Sequence, residues 1–481
     1  MLSFREIFKN TGLLGAVQVL NILLSIGRNK IAVLCIGSVG LGLTDLFAKL
    51  IEAVGGLTNF GIGLTAVRRI SELRERGVSA VRLHRHVRLV RTWTLLLALL
   101  GAAVTAMFAL PLSWLMTDSP SHALSFACLA PAVAFSTLTF CEIAILRAFR
   151  CIGSLTKVGV AVAVSGLLVS VVCYVLLGIP GVLWAALGVT FVSWLLPFHF
   201  SRRLVPYRLG SLRLRHLRCG FPMLRLGFGY VVAGIVAGWA ELFIRSVLLR
   251  SEGGWSMIAF YAAGITLTVS YVRVLFTSLD ADFFPRLSAV ASSPREANAT
   301  INRQIVTLVT LTAPFLLVFC ACLPWIVPLL YSSEFLLIIP MTLCAAGAMY
   351  VKAIYTPVAY LSLARGDAFT YMVMEILYNL VFCAGVSLGY MYHGLLGAGL
   401  GLSAAHLFDL CALSLVYRLR YDWRMDRFTF LRCFLPGVCL ALGLWCCTWE
   451  AWHLRFVGIA LCVLLMLPTL LPVWKQIRNN R

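Results

Sequence analysis

Apolar runs, each about as long as a bilayer is thick, alternate with polar breaks along this 481-residue chain. A helix needs roughly 20 mostly apolar residues to cross the hydrocarbon core. Such runs fall at 11–36, 39–66, 92–116, 123–146, 156–178, 180–200, 224–249, 256–283, 304–326, 335–363, 370–391, 394–417, 430–448 and 455–473. They predict an all-α polytopic membrane protein with about fourteen transmembrane helices. A short amphipathic head, Met1–Asn10, enters the first run with no small-residue cleavage site, so no cleavable signal is expected. The breaks at 178–181 and 391–394 barely turn the chain, so no outer domain is expected.

Composition agrees with this reading. The chain is 61% hydrophobic and 12% charged, about half the charged fraction of a soluble domain. A net charge of +21 would suggest nucleic acid in a soluble protein, but its distribution gives another reason. The breaks on the side of the N-terminus are 1–10, 67–91, 147–157, 201–225, 284–303, 364–369, 418–432 and 474–481. Together they hold thirty-two of the forty Lys and Arg residues, and the opposite side holds only Arg250 and Arg455. The positive-inside rule then puts both termini in the cytoplasm. The arginines of 67–91, such as Arg68, Arg74, Arg85 and Arg91, read first as a topology signal with attraction to anionic lipid. Guiding an anionic substrate to a cytoplasmic entrance is the second reading. The sixteen Cys lie mostly within apolar runs, with no zinc spacing, and read as small packing residues.

The long basic segment at 201–225 divides the runs. Residues 1–200 form an expected N-terminal lobe of six helices, 201–223 a cytoplasmic linker, 224–420 a C-terminal lobe of six, and 421–481 two extra helices and a tail. Two six-span halves are what a transporter built from internal repeats shows. The repeat itself is faint: Thr11-Gly12 and Phe228-Gly229 open spans 1 and 7, and each is followed seventeen residues later by Arg, at Arg28 and Arg245. Gly234/Gly238, Gly385/Gly389 and Gly397/Gly401 have the spacing of close helix contacts. Pro131, Pro314, Pro340 and Pro357 lie within spans, where helices can bend.

Six cations lie inside the apolar runs: Arg28, Lys30, Lys49, Arg245, Arg273 and Lys352. Each costs roughly 2.5–3.5 kcal/mol at a helix centre on insertion scales, so each is expected to face water, an acid or a ligand. With the first hairpin turning near Ser38, Arg28 and Lys49 share one depth, and Lys30 and Asp45 another. Lys30–Asp45 is then a candidate structural pair, leaving Arg28 and Lys49 underpaired for an anion. Asp45, Lys49 and Glu52 make one polar stripe at i, i+4, i+7. Glu241 and Arg245 are i, i+4 and are expected to pair. Glu142, Glu375 and Asp409 lie at membrane depth, and Asp280 and Asp282 near the cytoplasmic interface. Asp45, Glu52, Glu241 and Glu375 are candidates for charge balance or ion coupling. The planar fork of Arg suits a diphosphate. No phosphate loop of ATPases, zinc-protease motif or nucleophile elbow occurs, the eight His are scattered, and no cofactor is implied.

The segments Asn10-Thr11-Gly12-Leu13-Leu14-Gly15, Arg28-Asn29-Lys30-Ile31-Ala32 and Gly37-Ser38-Val39-Gly40-Leu41-Gly42 together resemble the bacterial O-antigen translocases. These are flippases of the multidrug/oligosaccharidyl-lipid/polysaccharide exporter superfamily. Gly61-Ile62-Gly63 with Arg68, and Gly253-Gly254-Trp255 leading to Asp282-Phe283-Phe284-Pro285-Arg286-Leu287-Ser288, agree with it. The resemblance covers roughly residues 10–420. It implies a two-lobed helical fold that flips an undecaprenyl-diphosphate-linked oligosaccharide to the outer leaflet. It also implies a place in the bacterial inner membrane and a cationic central cavity, to which Arg28, Lys30, Lys49, Arg273 and Lys352 would belong, with Arg245 as a further substrate-binding candidate. Polysaccharide polymerase and chain-length proteins are the partners it suggests. Many such translocases have twelve spans; two additional C-terminal spans resemble those of lipid II flippases. A multidrug or cation antiporter of the same fold would want acidic, aromatic cavities, and a glycan polymerase or ligase a sizeable outer loop. A non-transporting scaffold is the last alternative.

Overall fold

The computed structural model describes residues 4–59, 62–75, 78–117, 119–149, 151–210, 228–270, 276, 283–284, 286–449, 453 and 455–466. Every regular element among them is helical, and each expected apolar run coincides, in its described part, with helix. The protein is an all-α polytopic membrane protein. Among the described residues, ten helical stretches are long and apolar enough to cross a membrane. Two of them, Leu20–Thr58 and Ala368–Tyr421, have 39 and 54 residues, which at 1.5 Å per residue is about two and nearly three bilayer cores. Each is broken once. Helix α1 (Phe4–Asn59) leaves helical geometry at Gly37, with φ 68° and ψ −173°. The long helix Ala368–Tyr421 does so at His393 and Gly394, the latter with φ 57° and ψ −141°. Side chains are all but excluded from that backbone region, so a glycine marks each break. Counting each broken stretch as two gives twelve apolar segments among the described residues, and the shorter apolar helices Gly254–Val269 and Arg455–Met466 lie at the other two expected spans.

The chain forms two compact units, Met1–Ala259 and Phe260–Arg481. The first holds α1, α2 (Ile62–Glu75), α3 (Ala80–Met107), α4 (Ala109–Thr117), α5 (Ala123–Cys128), α6 (Ala130–Ala148), α7 (Ile152–Leu177), α8 (Gly181–Leu204) and α9 (Phe228–Leu249). Helix α9 packs on α1, where Gly238 admits Ala53. Residues 67–75 and 78–91 differ from the expected loop. They are largely helical, forming most of α2 and the start of α3, because an apolar stripe is interleaved with the arginines. Leu83, Val87 and Val90 repeat at i, i+4, i+7 and pack with Ile70 and with Cys141 and Ile145 of α6.

The second unit contains α11 (Pro294–Leu330), α12 (Ile339–Ala364), α13 (Ala368–Tyr421), α14 (Arg427–Cys446) and α15 (Arg455–Met466), preceded by α10 (Gly254–Ile265), which begins in the first unit. The arms of α13 run back along each other. Gly385 faces Gly401 and Gly389 faces Gly397, so near that a Cβ would press on the backbone opposite. Both pairs are symmetric about residue 393, as an antiparallel hairpin requires, and the two small-residue motifs form its seam. Helix α14 lies on α11 and α12, with Gly443 against Leu317 and Gly437 against Tyr350. The ring of Trp325 stacks on Phe456 of α15 at 5.7 Å.

Candidate functional site

In the first unit, the second arm of α1 presents Asp45, Lys49 and Glu52, and α9 answers with Glu241 and Arg245. Arg245 Nε donates to Asp45 Oδ2 at 2.6 Å. Its Nη1 donates to the Glu241 carboxylate and, at 2.9 Å, to the Glu241 carbonyl. Arg245 is 1% exposed. An anion would have to displace a carboxylate to reach it, so Arg245 acts as a bolt between α1 and α9 rather than as a substrate-facing cation. The expected Glu241–Arg245 pair is present. Asp45, expected opposite Lys30, is taken by Arg245. Lys49, expected to be underpaired, donates to Glu52 at 3.0 Å on a partly open face, and Glu241 lies within its electrostatic reach. Arg28 and Lys30 are half-buried on the first arm. Among the described residues no acid pairs with Arg28. Arg273, Asp280 and Asp282 lie outside the described residues.

The second unit gathers Lys352 and Tyr355 of α12, Glu375 and Tyr378 of the first arm of α13, and His406 and Asp409 of the second. Tyr355 Oη is 2.9 Å from His406 Nδ1 and within hydrogen-bond reach of Asp409. The Tyr378 and His406 rings stack at 5.3 Å and 12°. Lys352 lies within electrostatic reach of Glu375, His406 and Asp409. His406 and Asp409 are 1% and 7% exposed. The result is a cluster of two carboxylates, an imidazole and an ammonium, with His406 and Asp409 buried and Lys352 and Glu375 half-buried, whose groups can hold or pass a proton. The sequence reading placed Lys352, Glu375 and Asp409 at membrane depth but passed over His406, Tyr355 and Tyr378. A signal was there: each of three spans carries a polar pair spaced by three, Lys352/Tyr355, Glu375/Tyr378 and His406/Asp409, hence on one helix face.

A third group was also missed. Arg91, expected to be a loop cation, is 2% exposed and forks onto Glu142, Nε to Oε1 at 3.0 Å and Nη2 to Oε2 at 2.9 Å. Its remaining donors reach Ser201 Oγ at 3.1 Å and the carbonyls of Val205 and Pro206 at 3.0 and 3.3 Å. Ser201 also donates to Glu142, and the Tyr207 ring covers the guanidinium at 5.0 Å. The acid at depth in span 4 was the clue that some cation had to follow it inward.

Residues 43–340 match the family model described as polysaccharide biosynthesis protein. No curated protein matches the sequence. Several solved structures share the fold. The lipid II flippase MurJ in an inward closed conformation is 14% identical, with a TM-score of 0.69, covering 96% of this chain and 98% of that one. An inward-facing multidrug resistance transporter of the MATE family and MOP superfamily is 16% identical, with a TM-score of 0.63 and coverage of 84% and 94%. A MOP superfamily transporter from Pyrococcus furiosus, described as having a binding pocket of reverse polarity, is 15% identical, with a TM-score of 0.52 and coverage of 86% and 94%.

Proposed function

The chain belongs to the polysaccharide biosynthesis protein family, and on that premise we propose that it is a flippase for a lipid-linked glycan. It carries an undecaprenyl-diphosphate-linked oligosaccharide from the cytoplasmic to the outer leaflet of the bacterial inner membrane, for O-antigen or other surface polysaccharide assembly. It works by alternating access, with the halves 1–200 and 224–420 exposing the site to each side in turn. Both termini are cytoplasmic, and a polysaccharide polymerase and chain-length proteins act on what it delivers.

The observation that carries this reading is Arg28, a cation at membrane depth with no acid paired to it among the described residues. A guanidinium that costs this much to insert and is not neutralised by a neighbour fits a site for a transient anion. Lys30 lies one half-turn on. We assign Arg28, Lys30, Lys49, Arg273 and Lys352 to the diphosphate. Ion coupling is assigned to Glu375 with Asp409, beside Lys352 and His406, while Asp45, Glu52 and Glu241 balance the cations of the first unit. A catalytic role has no support in the motifs of the sequence. The test is flipping of a lipid-linked sugar in vesicles by Arg28→Ala, Lys49→Ala and Arg273→Ala. Loss of flipping in folded, inserted variants supports the assignment; unchanged flipping overturns it.

A further inference from the structure

Helices α6 and α8 carry none of the cations assigned above, yet they build a continuous run of aromatic rings. Phe191, Trp194 and Phe198 lie at i, i+3, i+7 on one face of α8. Phe135 of α6 stacks on Trp194 at 5.5 Å and meets Phe191 edge-on at 5.2 Å. Trp194 meets Phe198 at 5.2 Å, and Phe198 meets Tyr207 edge-on at 5.1 Å. Packed into a core, these rings would be unremarkable, but none is closed off. Phe191 is 41% and Tyr207 39% exposed, and the other three are half-buried. From Phe191 to Arg202 the rail rises about 16 Å, roughly half a hydrocarbon core.

At its cytoplasmic foot, in the orientation proposed above, stand His199, Arg202 and Arg203. Arg202 Nη2 is 3.2 Å from His199 Nδ1, and Arg203 Nη2 is 2.8 Å from His199 Nε2. A neutral imidazole accepts at one nitrogen only, so two guanidiniums compete for one lone pair. Among the described residues no carboxylate pairs with either of them. Arg91, Arg245 and Arg420, by contrast, each have a carboxylate. Arg202 also leans over the Phe198 ring at 5.9 Å, which joins the cationic foot to the rail. Two exposed guanidiniums with no carboxylate partner among the described residues, at the end of an open aromatic track, match an amphiphile with a phosphate head and a long chain. Bidentate arginine favours the phosphate. The ring faces offer an apolar track for a long hydrocarbon chain.

We propose that this rail and its arginine foot bind a polyprenyl diphosphate lipid from the cytoplasmic leaflet. The choice of polyprenyl chain rests on the flippase reading, while the phosphate-and-chain site rests on the geometry. The test uses the full chain in phosphatidylcholine nanodiscs, with a diazirine-bearing polyprenyl diphosphate as photoprobe and peptide mapping of the label. Labelling is expected on the 191–208 stretch and should be competed by unlabelled polyprenyl diphosphate, but not by polyprenol or phosphatidylglycerol. Trp194→Leu with Phe198→Leu, and separately Arg202→Gln with Arg203→Gln, should each lower it about tenfold. Melting in detergent shows that each pair is folded, and Arg28→Ala should retain the label while losing flipping. Labelling that survives both pairs overturns the site, as does equal competition by phosphatidylglycerol, the mark of a general anionic-lipid surface. If the wild type labels here but flips no lipid-linked glycan, the lipid site stands and the proposed function fails.

Discussion

Glu142→Gln should be among the most damaging single substitutions in the first unit. All five guanidinium N–H groups of Arg91 are used: two on Glu142, one on Ser201 and two on the carbonyls of Val205 and Pro206. The paired side chains are 1% and 4% exposed, so water cannot replace the lost charge. Removing one partner of a buried ion pair costs about 3–5 kcal/mol. Gln still offers one acceptor oxygen, which sets the expectation near the lower figure, about 3 kcal/mol, or roughly a hundredfold in the folding equilibrium. Arg91→Met should cost about as much, because it leaves the carboxylate buried and takes the donor from two backbone carbonyls, each worth about 1–3 kcal/mol when left unsatisfied. Arg91→Met with Glu142→Gln removes both charges together and should cost less than the sum of the two single changes by at least about 2 kcal/mol. The assay is denaturant unfolding of the purified protein in detergent, compared across the four members of the cycle. Strict additivity, or a Glu142→Gln protein within about 0.5 kcal/mol of wild type, would refute the coupling.

Gly401→Ala and Gly389→Ala should each open the α13 hairpin, because the added Cβ meets a backbone carbonyl that cannot rotate away. A loss of at least about 1–3 kcal/mol is expected, and a melting temperature equal to wild type would contradict the seam. Arg245→Met should lower stability by stranding Asp45 and Glu241 together, while Arg28→Ala should leave melting unchanged and reduce flipping; the reverse pattern in a paired melting and flipping assay would exchange their roles. Asp367, at the turn before α13, loses some hydration, but bonds from the Thr370 N–H, Tyr421 and the Thr370 hydroxyl, with Arg420 beside it, hold its carboxyl down at about 2. A depressed carboxylate stabilises above its unfolded value of about 3.9, and that contribution is lost as pH falls through the folded value. The stability gap between wild type and Asp367→Asn should therefore be constant above about pH 5 and close towards about pH 2; a pH-independent gap would exclude the ionised carboxylate as its source.

Much of the architecture was legible because membrane crossing leaves a strong one-dimensional signal. Backbone groups in hydrocarbon must bond within a helix, so the spacing of apolar runs and the sidedness of Lys and Arg already contain the span count. The breaks at Gly37 and Gly394 were anticipated to within a residue or two, since only a tight turn fits between runs that close. What was not legible was pairing between distant segments. Asp45 lies two hundred residues from Arg245, and depth bookkeeping within one hairpin assigned it to Lys30 instead. Arg91 was read as a loop cation because its neighbours are arginines. The apolar stripe of Leu83, Val87 and Val90, which carries it inward, is masked when charge is counted without phase.

Hydrogen-bond saturation separates these cations better than depth does. An arginine with all its donors matched, as Arg91 has, gains nothing from a passing phosphate, since each new bond would break an existing one. Its burial then measures stability. Arg245 follows the same rule, held by two carboxylates and a carbonyl. Arg28, with no acid beside it among the described residues, and Arg202 and Arg203, which contend for one imidazole, keep donors in surplus. Only such residues can bind an anion reversibly, because the free energy released on binding is not cancelled by a pair that must first be broken. Among membrane-embedded and interfacial arginines alike, loss of transport should therefore follow surplus donors, and loss of stability should follow matched ones.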